Sequence, residues 1–328
     1  IENCYFYYLS IMNRIYLKFI VLLCIILGFN ASAQRINFNT QKNWSLNKNE
    51  LLISFGPTQF LGDLGGAKSS NYDYSLKDWD WQALGGNAGI GYRFRFHPKF
   101  ATTSNLSYLM LRGDDKYSEE YIRFQRNLHF RTHMVEFQQR LEFILFSVEK
   151  FAPAYNLPGA RGGKRRNQQY YVFGGVGASF FIPQAKYQGS WVALRPLKTE
   201  GQSNPYSPIA FTVPAGFGFR VGLGTQWRIG LEATYNMVFS DYVDDVSTIY
   251  ADPNSFTDPA AAYLSNPSDP SITVGVPNGS VGGYNWFGPG YQRGDNKQRD
   301  SYYRLNIVLA KNLTYKDYGR QRIKTTGS

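Results

Sequence analysis

Apolar and polar residues alternate with a period of two in eight separate stretches of the chain. The alternation is cleanest over Gly86–Phe96. There Ala88, Ile90, Tyr92, Phe94 and Phe96 interleave with Asn87, Gly89, Gly91, Arg93 and Arg95. A strand turns successive side chains to opposite faces, so each such run predicts a strand with one apolar and one polar face. The same pattern predicts strands near Glu50–Thr58, with Leu51, Ile53 and Phe55 on one face, and near Phe100–Leu111, His129–Phe146 and Tyr170–Ile182. Three more follow at Ala210–Val221, Gln226–Phe239 and Tyr302–Tyr315.

The polar faces separate two architectures. A soluble sandwich turns its polar face to water and fills it with lysine and glutamate. Here that face carries glycine, asparagine and threonine with a mixed set of charges, which suits a crowded, hydrogen-bonded interior. The expected fold is all-β: an eight-stranded antiparallel up-and-down transmembrane β-barrel with long extracellular loops. In a barrel of eight strands the interior is just wide enough for side chains. Arg93, Arg95, Arg140, Arg220, Arg228 and Arg304 then share it with Glu136, Glu142 and Glu232, and buried charges must pair or be solvated. The expectation is an ion-paired plug that holds the barrel shut.

Link lengths orient the strands. His97-Pro98-Lys99 and Leu223-Gly224-Thr225 are tight, whereas Phe60–Gly85, Gly113–Leu128, Pro183–Ile209 and Ser240–Asp300 are long. Outer-membrane barrels keep short turns in the periplasm and long loops outside, so both chain ends are expected in the periplasm. One link departs from this rule. Glu149–Gln169 belongs to the periplasmic set yet is long, and it concentrates Arg161, Lys164, Arg165 and Arg166 among glycines and prolines. These four are the candidate partner-docking residues. The stretch Gln34–Asn49 and the tail Lys316–Ser328 fall on the same side. Ser240–Asp300, rich in Pro, Asn, Ser and Gly, reads as a long irregular external loop.

Composition agrees with export and a membrane wall. From Met12 a basic segment with Arg14 and Lys18, an apolar run Phe19–Phe29 and Ala31-Ser32-Ala33 form a signal-peptide pattern. Residues 1–33 are therefore expected to be a signal peptide, residues 1–11 to precede the true start, and residues 34–328 to form the barrel with its extensions. Both cysteines, Cys4 and Cys24, lie in the segment to be removed. What remains has no disulfide framework and no thiolate chemistry. Aromatic residues make up 17% of the chain and glycines number 32, which fits interfacial girdles and close strand packing better than a soluble domain. The net charge of +11 is compatible with nucleic acid, but export makes acidic envelope partners the expected ones.

Candidate chemistry is sparse. His97 falls in a tight turn. His129 and His133 share one side of a strand, and with Asp114 and Asp115 they form the nearest approach to an acid–base set. Asp241, Asp244 and Asp245 lack the glycine turn and ligand spacing of a calcium loop and read as an acidic loop edge. Phosphate-binding loops and DNA-reading elements are absent. No enzyme activity, cofactor, metal, nucleic acid or small-molecule substrate is expected.

Four strings resemble the PorG-like outer-membrane barrel family of the type IX secretion system. They are Phe60-Leu61-Gly62-Asp63-Leu64; Arg126-Asn127-Leu128-His129-Phe130-Arg131-Thr132; Trp191 with Leu194 through Gln202, ending in Thr199-Glu200-Gly201-Gln202; and Phe239-Ser240-Asp241-Tyr242-Val243-Asp244-Asp245-Val246-Ser247. The resemblance implies a non-catalytic barrel that ties the periplasmic ring of that machine, a lipoprotein and its soluble partner, to the outer membrane and its lipid. The other expectation is a stand-alone adhesin-type or envelope-stabilising barrel acting through its external loops.

Overall fold

The computed structural model describes residue 44 and residues 47–64, 83–118, 121–148, 167–223, 226–268, 287–296 and 299–314. The signal segment, Arg161, Lys164, Arg165 and Arg166, and the tail beyond residue 314 lie outside the described residues.

Eight strands close on themselves. They are β1 (Asn49–Leu61), β2 (Gly85–His97), β3 (Phe100–Asp114), β4 (His129–Val148), β5 (Gln168–Tyr187), β7 (Ile209–Leu223), β8 (Trp227–Val238) and β9 (Ser301–Asn312). Each pairs antiparallel with its sequence neighbour in the barrel, and β1 closes the ring against β9 with Ile53 opposite Leu309. A ninth, short strand, β6 (Ser190–Ala193), folds back only on the end of β5. Its turn has Gln188 and Gly189 at positive φ of 48° and 85°, the conformation of a two-residue hairpin whose twist matches the strands.

Every predicted strand is present, and the pleat points each as its alternation requires. Leu51, Ile53, Phe55, Ile90, Phe137, Leu141, Val176, Phe211, Phe217, Leu231 and Leu305 are all exposed on the outside. A continuous apolar wall of this kind is costly in water and is the surface that a bilayer's hydrocarbon core accepts. Among the described residues no helix is long and apolar enough to cross a membrane. Closure of the barrel gives each of the eight strands a hydrogen-bonded neighbour on both sides, as a strand in a bilayer requires. Aromatics gather at the short-link end, where Phe96 stacks on Phe100 and Tyr170 packs on Phe219.

The inside of the barrel changes chemistry along its axis. Near the short links it is charged. Toward the long loops the inward residues turn apolar, with Leu109, Leu111, Phe130, Met134, Phe181, Val238 and Tyr302 in one cluster. The run Phe180-Phe181-Ile182, apolar on both faces, marks that change in the sequence.

The long loops depart from expectation. Ser240–Asp300 is not merely irregular: Val243 and Val246 are buried in the apolar cluster, and a helix, α2 (Pro259–Ser265), buries Leu264 in a separate cluster with Ala185 and Leu194. The β3–β4 loop likewise holds a short helix, α1 (Tyr121–Arg126). The described parts of these two loops fold down over the barrel mouth.

Candidate functional site

Two sites emerge, one inside the barrel and one across its mouth. The interior site is built by strand parity. Residues inward on β1, β2, β4, β7 and β8 bring Glu50, Arg93, Glu142, Arg220, Arg228 and Glu232 to one level. Arg93 reaches Glu142 at 2.6 Å and Glu50 at 2.8 Å. Arg220 lies 2.9 Å from Glu232 and 3.4 Å from Glu142, Arg140 lies 3.1 Å from Glu232, and Arg228 lies 3.2 Å from Glu50. Tyr171 donates to Glu232 Oε1 at 2.5 Å, and the Arg220 guanidinium lies 4.3 Å from the Tyr171 ring centre. Gly218 and Gly216 make room for this ring and its neighbour: a Cβ on Gly216 would stand 2.7 Å from Phe173 Cζ.

A second interior level holds Arg304, 3.2 Å from Glu136 and bonded to Gln138 at 2.7 Å and Asn236 at 3.0 Å. Tyr302 donates to Glu136 at 2.8 Å. All nine charged residues expected in the lumen are buried there. Arg95 sits at its lower edge, where it donates to the Pro98 carbonyl and lies 5.9 Å from the Trp44 ring centre. Glu50 was missed by sequence reading. Its signal was present, because Leu51, Ile53 and Phe55 outward put Glu50 inward.

The second site is the mouth, and here the four family-like strings meet. Thr199 donates to Asp245 Oδ2 at 2.5 Å, and Tyr206 donates to Asp245 Oδ1 at 2.6 Å. Glu200 accepts from the Ser247 amide at 2.8 Å and the Thr248 hydroxyl at 2.7 Å. Arg293, from the far part of the last loop, joins both acids, 3.1 Å from Glu200 and 3.8 Å from Asp245. On the other flank Arg126 pairs with Asp115 at 2.7 Å and donates to the Asp63 carbonyl at 2.6 Å. Thr132 donates to the Val243 carbonyl at 2.5 Å, and Phe60 meets Phe130 edge to face with ring centres 4.8 Å apart. Residues 232 positions apart are thereby locked in one layer, since Asp63 Oδ2 also accepts from the Asp295 amide at 2.6 Å.

This placement corrects two readings. Asp244 and Asp245 are buried, not an exposed loop edge. The suggested acid–base set does not assemble: Asp115 turns inward to Arg126, while His133 bonds the Tyr108 hydroxyl at 2.5 Å and His129 accepts from the Lys186 amide at 2.9 Å.

The mouth is rich in carboxyls that lack matched cations. Asp300 accepts from the Val243 amide at 2.9 Å and Asp244 from the Val246 amide at 3.0 Å. Burial, reinforced by the charge of Asp300, holds the Asp244 carboxyl well above the usual range, and burial with the charge of Asp241 does the same to Asp300. Burial raises Asp241 to about 7 and Asp245 to about 6, the latter opposed by Arg293. Among the described residues no group of three or more His, Cys, Asp or Glu is arranged to hold a metal ion. A cavity of about 10 Å³ beside Leu64, Leu128, Asp244 and Arg293 has room for at most one water.

No protein-family model matches the chain, and no curated protein matches it. Solved structures similar to it include neisserial surface protein A, at 7% identity over 80% of this chain and 96% of that one with a TM-score of 0.33. The outer membrane protein OprG from Pseudomonas aeruginosa matches at 7% identity over 81% and 96%, with a TM-score of 0.32. The attachment invasion locus protein Ail of Yersinia pestis, solved with the heparin analogue sucrose octasulfate, matches at 9% identity over 80% and 99%, with a TM-score of 0.29. Identities this low carry no information about ligand or partner. The closed eight-stranded antiparallel barrel with an apolar outer wall stands on its own strand pairing.

Proposed function

We propose that the chain is a non-catalytic outer-membrane barrel of the type IX protein secretion machinery, docking its periplasmic ring to the membrane. One observation supports this reading above the rest. The four strings that resemble the PorG-like family, spread from Phe60 to Ser247, converge into one interlocked layer through Thr199–Asp245, Glu200–Ser247 and Thr132–Val243 contacts. Strings held together in space behave as one feature, which is a stronger likeness than four scattered matches. The filled interior supports a scaffold over a conduit, because Arg93, Arg140, Arg220 and Arg228 occupy the cross-section of a barrel of only eight strands.

Docking itself is assigned to Arg161, Lys164, Arg165 and Arg166 on the long link after β4. Guanidinium groups make bidentate contacts with carboxylates, so an acidic face on the ring lipoprotein or its soluble partner is the matching surface. The test replaces all four with glutamine and purifies the protein from native membranes in mild detergent. Recovery of ring components should fall, and fall further at higher salt, because exposed charges are screened. Secretion should fall with it. Unchanged recovery and secretion would reject docking through this link.

The second reading, a stand-alone adhesin-type or envelope-stabilising barrel, draws on the ordered cap that Ser240–Ser268 forms over the mouth. Deleting α2 with its flanks would then abolish function while ring components, if any, are recovered as before.

A further inference from the structure

On three adjacent strands the outward face changes from apolar to cationic toward the loops, at one level on β3 and β4 and one outward position further on β5, where Gln184 stands opposite Arg131. Moving toward the loops, β3 presents Leu106, Tyr108, Met110 and then Arg112; β4 presents Phe137, Val135, His133 and then Arg131; β5 presents Phe180, Ile182, Gln184 and then Lys186. The register aligns these changes, with Met110 opposite His133 and Arg112 directly opposite Arg131. Like charges facing across a pair of strands destabilise a sheet, so this arrangement calls for a compensating anion. None is supplied by the described residues: Arg112, Arg131 and Lys186 make no ion pair with a carboxylate among them. Asp114, the nearest outward acid, is engaged with Lys116 at 3.6 Å and with the Lys116 amide.

The cations are positioned. The hairpin of β5 and β6 places Trp191 on the same outer face, and the Arg131 guanidinium lies 4.0 Å from its ring centre. Lys186 Nζ lies 5.4 Å from the same ring. Arg131 donates to Gln184 Oε1 at 2.8 Å, which fixes the plane of its fork, while its buried Nε has no partner among the described residues. A tryptophan at the apolar–polar boundary with two cations held over it is a headgroup-level anchor.

We infer that Arg112, Arg131, Lys186 and Trp191 form a docking surface for the phosphorylated headgroup of an outer-leaflet glycolipid. The lipid's acyl chains lie along Leu106, Tyr108, Val135 and Phe180, and its phosphates bridge the opposed arginines. Charge complementarity and level together select this occupant: the cations begin where the apolar wall ends, so the anion belongs to a molecule anchored in that wall. The surface rests on the outer-membrane reading for its leaflet, not for its chemistry.

The test uses purified full chain in a zwitterionic detergent, with added bisphosphorylated lipid A, phosphatidylglycerol or phosphatidylcholine, read by native mass spectrometry. Wild type should retain lipid A about tenfold better than phosphatidylcholine, and the triple variant R112Q/R131Q/K186Q should lose that preference. Retained heat-modifiable gel mobility shows that the variant barrel is folded; should it be lost, the single variant Lys186→Gln, in an exposed hairpin, should show a partial loss of preference. Equal binding of lipid A by wild type and folded variant, or equal retention of phosphatidylglycerol and lipid A by wild type, overturns the assignment. Leaflet is read separately, by labelling a Ser190→Cys chain in intact cells with an impermeant maleimide. Labelling supports the outer leaflet; its absence overturns the leaflet and leaves the detergent result to judge the surface.

Discussion

Arg93 holds Glu142 at 2.6 Å across the barrel interior, from a strand that is not the glutamate's hydrogen-bonded neighbour. β2 and β4 are separated by β3, so this pair ties together walls that do not hydrogen-bond to each other, while Arg93–Glu50 links directly opposed residues of neighbouring β1 and β2. Two charges taken out of water are expensive, and here each acid meets more than one guanidinium.

Removing one acid from such a network leaves the cations buried and uncompensated. Glu50→Gln strips ion-pair partners from Arg93, Arg228 and Arg220 at once. The expected cost is about 3–5 kcal/mol, seen as a lower urea midpoint for unfolding in detergent micelles. A midpoint equal to wild type would mean that the interior network is solvated and contributes little.

How much of this was legible follows from where alternation operates. Parity assigned Arg93, Glu142, Arg220, Glu232 and Arg304 to the interior because each sits in a long strand with apolar residues on either side. Glu50 is the second residue of its strand, so its inward face is marked only from the downstream side, by Leu51, Ile53 and Phe55. The four-residue β6 was too short for any period to register. The mouth was illegible for another reason: Val243 and Val246 are two apolar residues in a polar stretch. What orders them is Arg293, nearly fifty positions away, together with Glu200 from a different loop. Such long-range polar contacts leave no local pattern.

The Glu200–Arg293 contact gives a second expectation. Glu200→Ala removes acceptors for the Ser247 and Thr248 amides and the nearer of the two carboxylates that pair with Arg293. The last loop should become cleavable by protease near Thr248–Ser255, with local stability reduced by roughly 1–3 kcal/mol, while the barrel keeps its heat-modifiable mobility. Protease resistance equal to wild type would show that apolar burial of Val243 and Val246 alone holds the loop.

Packing inside the barrel is equally specific. Gly218 faces the Tyr171 ring so closely that no Cβ fits without displacing it. Gly218→Ala should move Tyr171 off Glu232 and destabilise the barrel by about 1–3 kcal/mol, whereas the double change Gly218→Ala with Tyr171→Phe should not restore it, because the ring is the obstacle. Tyr171→Leu in the Gly218→Ala background should recover part of the loss. Full stability of Gly218→Ala alone would contradict the packing.

The mouth should respond to pH in a direction set by its carboxyls. Asp241 rises to about 7, Asp245 to about 6, and Asp63, Asp244 and Asp300 are all raised. Burial is the first cause for each; their mutual charge adds to it at Asp241, Asp244 and Asp300, and the charge of Asp295 adds to it at Asp63. Facing them are Arg126, Arg123 and Arg293, which lower Asp63 and Asp245, together with Glu200 and Asp295, which raise Asp241. An acid whose folded pKa is raised binds its proton more tightly in the folded loop than in the open one. Its stabilising effect is complete below the unfolded value near 3.8 and is lost as pH rises through the folded value, here between about 4 and 7 for Asp241. The layer formed by Asp241–Thr248 should therefore be tighter at pH 5 than at pH 8. Amide exchange, corrected for its intrinsic pH dependence, should show several-fold higher protection of the Val243 and Val246 amides at the lower pH, with interior barrel amides such as those of β3 unchanged. Asp244→Asn with Asp300→Asn mimics the protonated pair and should keep most of that protection at pH 8. Protection that is flat between the two pH values in wild type, or that rises toward pH 8, would mean that Arg126, Arg123 and Arg293 already compensate these carboxylates.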